Sequence, residues 1–546
     1  MQINKNFLLI GIALLAVLAV LLITQMAKPA EQDSPIKVYR LNDHAMGYSE
    51  LKNHTYNMGV VSNDKNDLRA EYEAGFVQGK LQKDLVALTR DNEWDSAALT
   101  DASPYKKIPP TQSQKEQAAE LLLQNYNYTL NYAKNADPVL RQKILRVVFR
   151  MLGVYHGATK DSPANLDFSG NWTPGPDYFT ADELKVNYET SGVSFMDIYF
   201  LNAVEDVFDV IDNQEGQNTT NNPSKCSAFI KRTANETFLA HNSWSSFLDQ
   251  SMVLTYYING NYLTFNAISP GTVTSLSDFG YNDKGIFFIE TTHHDTYTEP
   301  KVDALWMFMR AALAEQFAGS LDEFYNLVSL EASGTYMNGY MIYDDKTKDI
   351  GLVEMSYKSF AYFKSAPGKD YVIETKPENL SKAYDPELVQ QDVILGVNFP
   401  ASLAIREELK AIETRPARRA QFLAGMGAVN DIESAKALIT YTAPNEPLSI
   451  YGRWDLGFGN TTAPKTVPDG SIDAKAATAS MMKQAYNLKG EMDLKSPQPA
   501  FWMKYGTPVF NGKPFIWSES NWSSQKLRWV PDSVSGEYMF VNSYIQ

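Results

Sequence analysis

Apolar residues recur at helical spacing in the first half of the chain and at strand spacing beyond residue 226. Ala118, Leu121, Leu122, Tyr126, Leu130 and Tyr132 predict a helix over residues 111–136. Asp137-Pro138 then starts a second helix, which runs to Gly157. A third, weaker pattern covers 195–211. From residue 226 the texture changes to short β-branched and aromatic runs: CSAFIK, ETFLAHN, MVLTYYI, YLTFNAI, GIFFIETT, GYMIYDD and DIGLVEMSY. KRTANE, NGN and DDKTKD supply turns, so these runs predict a meandering antiparallel sheet. Helical periodicity returns over 301–319, 320–332 and 401–426. Runs of strands followed by runs of helices make the expected class layered α+β.

Two segments stand outside this pattern. Residues 7–23, FLLIGIALLAVLAVLLI, are uncharged and lie between a long signal-peptide core and a short membrane-spanning helix in length. Lys28 takes the place of a small residue before Ala30, so a retained anchor is favoured over a removed signal within residues 1–26. Either reading exports the rest of the chain, leaving it anchored toward the periplasm, lumen or exterior, or secreted. The second segment, DNQEGQNTTNNPSK at 212–225, has no aliphatic or aromatic residue and reads as an exposed loop open to nicking.

Composition narrows the function. The 546 residues are 44% hydrophobic and 21% charged, an ordinary globular balance. Net charge is −15, which implies no basic surface for nucleic acid. No Walker-type or GxGxxG loop follows a strand, so no nucleotide site and no cofactor are expected. A single cysteine, Cys226, excludes an internal disulfide and any Cys-rich metal site. His293 and His294 do not suggest a metal site either, because neighbours on a strand point to opposite faces.

Cys226 ends the polar loop and opens an apolar strand. Cutting the Lys225–Cys226 bond would place a thiol nucleophile and an α-amine base, of pKa ~8, on one residue. The same thiol can attack the preceding carbonyl and cut its own chain. A small buried apolar residue is the other reading of a lone cysteine at such a place.

CSAFIK with ETFLAHNSWSSF (226–247) resembles the nucleophile segment of the phospholipase B-like (lamina ancestor) family. In the same order, SPGTVTSLSDFGYNDKGIFFIETT (269–292) resembles its PGT…DDF…ETT block and SGTYMNGYMIYD (333–344) its SGTYNNQWM block. VPDGSIDAKAATASMM (467–482) resembles its G-x-D-x-K-x-T segment. Met337 stands where the family pattern has its first Asn, and the cysteines beyond the nucleophile that animal members carry are absent.

The resemblance implies an N-terminal nucleophile hydrolase. Its fold would be a four-layer αββα sandwich, with a mainly helical N-terminal region. Residues 27–225 would form an N-terminal fragment ending in the cleavable loop, and 226–546 a core beginning at Cys226. It further implies self-cleavage between Lys225 and Cys226, with the two fragments staying associated. His241 would lie in the pocket, two strands from the nucleophile, with Asn242 and Trp244 shaping the acyl pocket. Asn282, in a turn like that of bile-salt hydrolases and penicillin acylases, would donate to the oxyanion. Asn338 and Asn398 would hold the oxyanion or the α-amine. Arg418 or its neighbour Arg419 would steady the thiolate or a carbonyl in the site, and Arg418 is the choice. The implied substrates are acyl lipids or N-acyl amides. A catalytically silent, membrane-tethered relative that binds lipid or protein is the competing expectation.

Overall fold

The computed structural model describes residues 35–52, 54–96, 109–214, 226–249, 252–259, 261–267, 269–274, 278–293, 296–452, 468–486, 498–509, 513–524, 527–533 and 536–543. The expected anchor (1–26) and Lys225 lie outside these residues. Ile36–Gln546 forms one compact unit.

The two strongest helix patterns are realised with their caps. Gln112–Asn135 is closed by a reciprocal box between Thr111 and Gln114. Pro138–Thr159 starts with proline in its first turn and Asp137 accepting from the amides of Val139 and Leu140. Other helices are shorter than their periodicity predicts. The 195–211 pattern is broken at Ala203 into Phe195–Asn202 and Val204–Gln214. The 301–319 pattern yields only Met307–Phe317. The 401–426 pattern yields Leu403–Leu409 and Pro416–Gly425. The latter break has two causes: Lys410 turns left-handed (φ 51°), and Pro416 keeps Arg415 out of helical geometry.

Sheet organisation departs further from expectation. The predicted single meander is divided between an 11-stranded and a 7-stranded sheet. Ser227–Arg232 and Thr237–Asn242 pair as a hairpin, but their outer partners are Val393–Gly396 and Asp473–Thr478, far along the chain. Met252–Ile258 begins the run that stays in the large sheet, and it pairs in parallel with Thr55–Ser62. The N-terminal region is therefore not helical throughout. Lys37–Arg40, Ala45–Lys52 and Thr55–Ser62 add three strands to the same sheet as the later part of the chain.

Ile286–Thr292 of the large sheet contacts both Ser227–Arg232 and Thr237–Asn242 of the smaller one. Phe229, Leu239, Phe287, Ile289 and Met341 are buried in the core that joins them. Leu321–Val328 packs on Asn338–Asp344 and Ile350–Met355, while Ile432–Ile439 packs on Thr237–Asn242 and Asp473–Thr478. The 30-residue helix Asp67–Ser96 covers the N-terminal strands and packs backbone to backbone on Pro138–Thr159. A Cβ at Gly75 would collide with the Arg150 carbonyl oxygen, and one at Gly153 with that of Tyr72. That close approach ties the N-terminal strands to the helical layer behind them.

Candidate active site

Cys226 immediately precedes Ser227–Arg232 and is 3% exposed. Alternation along the strand puts it on the same face as Ala228, which lies opposite His241, which in turn lies opposite Lys475. His241 is thus in the strand next to that of Cys226, one strand away rather than two. Asn242 holds the two strands together. Its Oδ1 accepts from the Ser227 amide at 3.0 Å, and its Nδ2 donates to the carbonyls of Ile439 (2.8 Å) and Ile450 (3.0 Å). Its polar atoms are used within the fold, which corrects the expectation that it faces substrate.

Arg418 reaches Cys226 from the helix Pro416–Gly425. It is fully buried, its Nη1 donates to the Cys226 carbonyl at 2.8 Å and to Asn398 Oδ1 at 2.5 Å, and its guanidinium lies 4.2 Å from the Trp244 ring centre. Arg419 points elsewhere, to Asp385, Glu387 and Glu413. Tertiary placement separates this pair, which the sequence leaves equivalent. Asn398 completes the brace by donating from Nδ2 to the Thr292 carbonyl at 2.7 Å. Trp244 donates from Nε1 to the Ile450 carbonyl at 3.3 Å. With Cys226, Ser243, Asp278, Thr292 and Tyr336 it lines a pocket.

The two remaining asparagines separate as well. Asn282 donates to the carbonyls of Glu315 and Ala318, both at 2.9 Å, and accepts from the amides of Lys284 and Ile286. Every polar atom of that amide shapes a turn against a helix, which corrects its assignment to the oxyanion. Asn338, opposite Thr292 in the neighbouring strand, is fully buried and neither its Oδ1 nor its Nδ2 has a hydrogen-bond partner.

Residue-type reasoning missed several groups at the centre of the site. Asp278 Oδ2 lies 3.8 Å from Cys226 Sγ. Its carboxyl is hydrogen-bonded to that of Glu290, and both are fully buried. Tyr336 links this pair to the pocket, donating to Glu290 Oε2 (3.4 Å) and accepting from Thr292 Oγ1 (3.3 Å). Lys475 Nζ binds Asp473 Oδ1 and Ser243 Oγ, each at 2.6 Å. Asp278, Tyr336 and Asn398 all adopt left-handed backbone, with φ of 62°, 46° and 61°. Such residues cost ~1–3 kcal/mol each and persist where the surroundings dictate them. The available signal was acidic residues inside otherwise apolar runs: SDF, IET and IDAK.

Burial sets the protonation states. It pushes the Cys226 thiol well up, assisted by the charges of Asp278 and Glu290, so the intact chain carries a thiol. It pushes His241 well down, with Lys475 adding to the effect, so the imidazole is neutral. Burial also raises Glu290, with Asp278 beside it, and raises Asp278 to about 7. Asp278 thus stands beside a protonated thiol with its own carboxyl raised to about 7.

A stability consequence follows from that raised carboxyl. The folded chain retains the Asp278 proton up to about pH 7, whereas the unfolded chain releases it above about pH 4. Its stabilising contribution is full in acid and lost as pH rises through about 7. Asp278→Asn, which tolerates the same φ, is expected to be more stable than the native chain near pH 8. It should also show a shallower loss between about pH 5 and pH 8, with the raised carboxyl of Glu290 contributing the rest. Urea unfolding across that range checks this, and parallel pH profiles for the two proteins would refute it.

With the geometry in place, comparison with known proteins adds lineage. The Phospholipase B family profile matches residues 179–400, a span that holds Cys226, His241, Asp278, Glu290, Asn338 and Asn398. The chain is similar to the phospholipase B-like family over this span. It is 25% identical over 384 residues to phospholipase B-like 1 of Rattus norvegicus, covering 62% of this chain and 66% of the relative. Against phospholipase B-like protein B of Dictyostelium discoideum it is 24% identical, covering 61% of each. Phospholipase B-like protein D of the same organism matches over 470 residues at 23% identity, covering 78% of this chain and 76% of the relative. The chain thus spans just under two thirds of the first two relatives' length. Arg418, which closes the brace on Cys226, lies beyond the profile match.

Proposed function

We propose that the chain is a self-cleaving cysteine hydrolase of the N-terminal nucleophile type that removes acyl groups from lipid esters or N-acyl amides. The observation that carries this reading is the treatment of Cys226. The lone cysteine is braced through its own carbonyl by Arg418 and faces Asp278 across 3.8 Å, with the open amide of Asn338 in the strand that pairs with Thr292. A cysteine serving as a small buried apolar residue needs none of these. Two sheets in contact, with helices packed on each, support the αββα arrangement.

In the first step Asp278 takes the Cys226 proton and the thiolate attacks the Lys225 carbonyl. The Lys225–Cys226 C–N bond then breaks as Asp278 returns the proton to the leaving nitrogen, which gives a thioester and the free α-amine of Cys226. Water hydrolyses the thioester to release the Lys225 carboxylate and the thiol. That amine then serves as base while the thiol attacks an acyl carbonyl of substrate, and Asn338 donates to the developing oxyanion. Water clears the thioester with the same amine as base. Arg418 and Asn398 act by holding the Cys226 backbone, and Trp244 forms a wall of the acyl site. The expected setting is an exported chain held at a membrane by residues 1–26, with its two fragments associated and no cofactor.

Because Cys226 is 3% exposed in the intact chain, a silent lipid- or protein-binding relative is the second reading. Incubation with an activated acyl analogue separates them by intact mass. The hydrolase gains one acyl group at Cys226, while a binding module gains none. Release of fatty acid from phosphatidylcholine without turnover of N-acyl amides would assign the ester branch, and the reverse pattern the amide branch.

A further inference from the structure

Cys226 Sγ, a ring nitrogen of His241 and a carboxylate oxygen of Asp278 all lie within 4.8 Å of one another, and all three residues are buried. The Sγ–Oδ2 edge of that triangle is 3.8 Å. Zinc bonds of ~2.3 Å to sulfur and ~2.0–2.2 Å to nitrogen and oxygen, set tetrahedrally, place neighbouring ligand atoms at about this spacing. Neither ring nitrogen of His241 has a hydrogen-bond partner of ordinary geometry, although the residue is fully shielded from solvent. A buried imidazole that meets the Glu290 backbone and is set beside a thiol and a carboxyl forms a donor set that a cation would complete.

We propose that Cys226, His241 and Asp278 form a binding site for one zinc-class divalent ion. This goes beyond the hydrolase reading, because it needs neither self-cleavage nor an acyl substrate. Donor chemistry selects the ion: one soft thiolate, one imidazole and one carboxylate suit Zn(II) or Co(II) and not Mg(II) or Ca(II). On binding, the thiol and the Asp278–Glu290 pair release protons to solvent, and a metal–sulfur bond forms without any redox change. Thiolate and carboxylate together neutralise the dication, so no net charge is added to the buried site. Nearby cations are already engaged, Lys475 with Asp473 and Arg418 with Trp244 and the Cys226 carbonyl. Cys226 and Asp278 line the pocket, which provides the entry path, and three protein ligands leave a fourth position for water.

Titration of the reduced full chain with Co(II) tests the proposal, with the thiol counted after unfolding to establish that it is free. Expected are one cobalt per chain, visible absorption of a tetrahedral ion and a thiolate-to-cobalt charge-transfer band, all abolished by equimolar Zn(II). Cys226→Ser loses the charge-transfer band. His241→Ala weakens binding by more than the ~10–100-fold that loss of an outer-shell partner costs. Asp278→Asn does the same in an isosteric background, which covers failure of the histidine variant to fold. His44→Gln, at an exposed position, leaves binding unchanged. Absence of the charge-transfer band in reduced protein overturns the site, as does a band whose affinity is unaltered in both the His241 and Asp278 variants. Mass analysis of the same samples keeps the two readings apart. A band without chain cleavage retains the metal site and removes the hydrolase reading, whereas cleavage without a band does the reverse.

Discussion

The native protein is expected to separate into two fragments, the C-terminal one beginning at Cys226, whereas Cys226→Ala remains a single 61.3 kDa chain. Alanine removes the only thiol and leaves the burial pattern of the strand intact, because residue 226 is already shielded. No other group inherits the role: Ser227 donates its hydroxyl to the Ile450 carbonyl and Ser243 accepts from Lys475. The same change is expected to lower acyl turnover by ~10⁴-fold or more, as for loss of a covalent nucleophile elsewhere. N-terminal sequencing of the larger fragment with intact mass of both proteins reads the outcome. Two single chains after prolonged incubation at about pH 8, where Asp278 is ionised, would remove the free amine on which the mechanism depends, and binding would become the leading function.

The second large effect is expected at Arg418. Its guanidinium is buried, and burial with Arg415 nearby holds its pKa well below the usual value, so the fold carries a costly cation. Arg418→Met removes that cost and fills the space against Trp244, but leaves the Cys226 carbonyl and Asn398 Oδ1 without their donor. Each orphaned acceptor costs ~1–3 kcal/mol, similar in size to what is regained by not burying a charge. Stability should therefore change by only about 1 kcal/mol. Cleavage and turnover should fall by ~10²-fold, because the carbonyl that fixes Cys226 is no longer held and attack geometry is sensitive to shifts of about 1 Å. Arg418→Lys keeps a charged donor without the planar stack and should recover part of the rate. Urea unfolding and kcat measured together check this. An unchanged kcat in Arg418→Met would show that the brace is dispensable.

Both predictions combine what is local with what is not. The lone cysteine between a polar loop and an apolar strand was legible by itself, and the family motifs located His241, Trp244, Asn338, Asn398 and the arginine pair. Asp278 and Glu290 were not singled out, although both stand in motifs that were. An acid in a strand reads as a solvent-facing residue until another layer is known to cover it. Lys475 and Asp473 escaped for the same reason. Asn282 and Asn338 differ only in surroundings: one amide is consumed by helix carbonyls and a turn, the other is left open.

By itself the sequence determined the capped helices at 112–135 and 138–159, the short aromatic strands after 226 and the place of the lone cysteine at the head of one of them, because these depend on backbone geometry and neighbours a few residues away. Tertiary structure decided which strands share a sheet, pairing 55–62 with 252–258, and which arginine reaches Cys226 from 192 residues away. Those contacts follow from burying faces that many alternative pairings would satisfy locally, so only the packed whole selects among them.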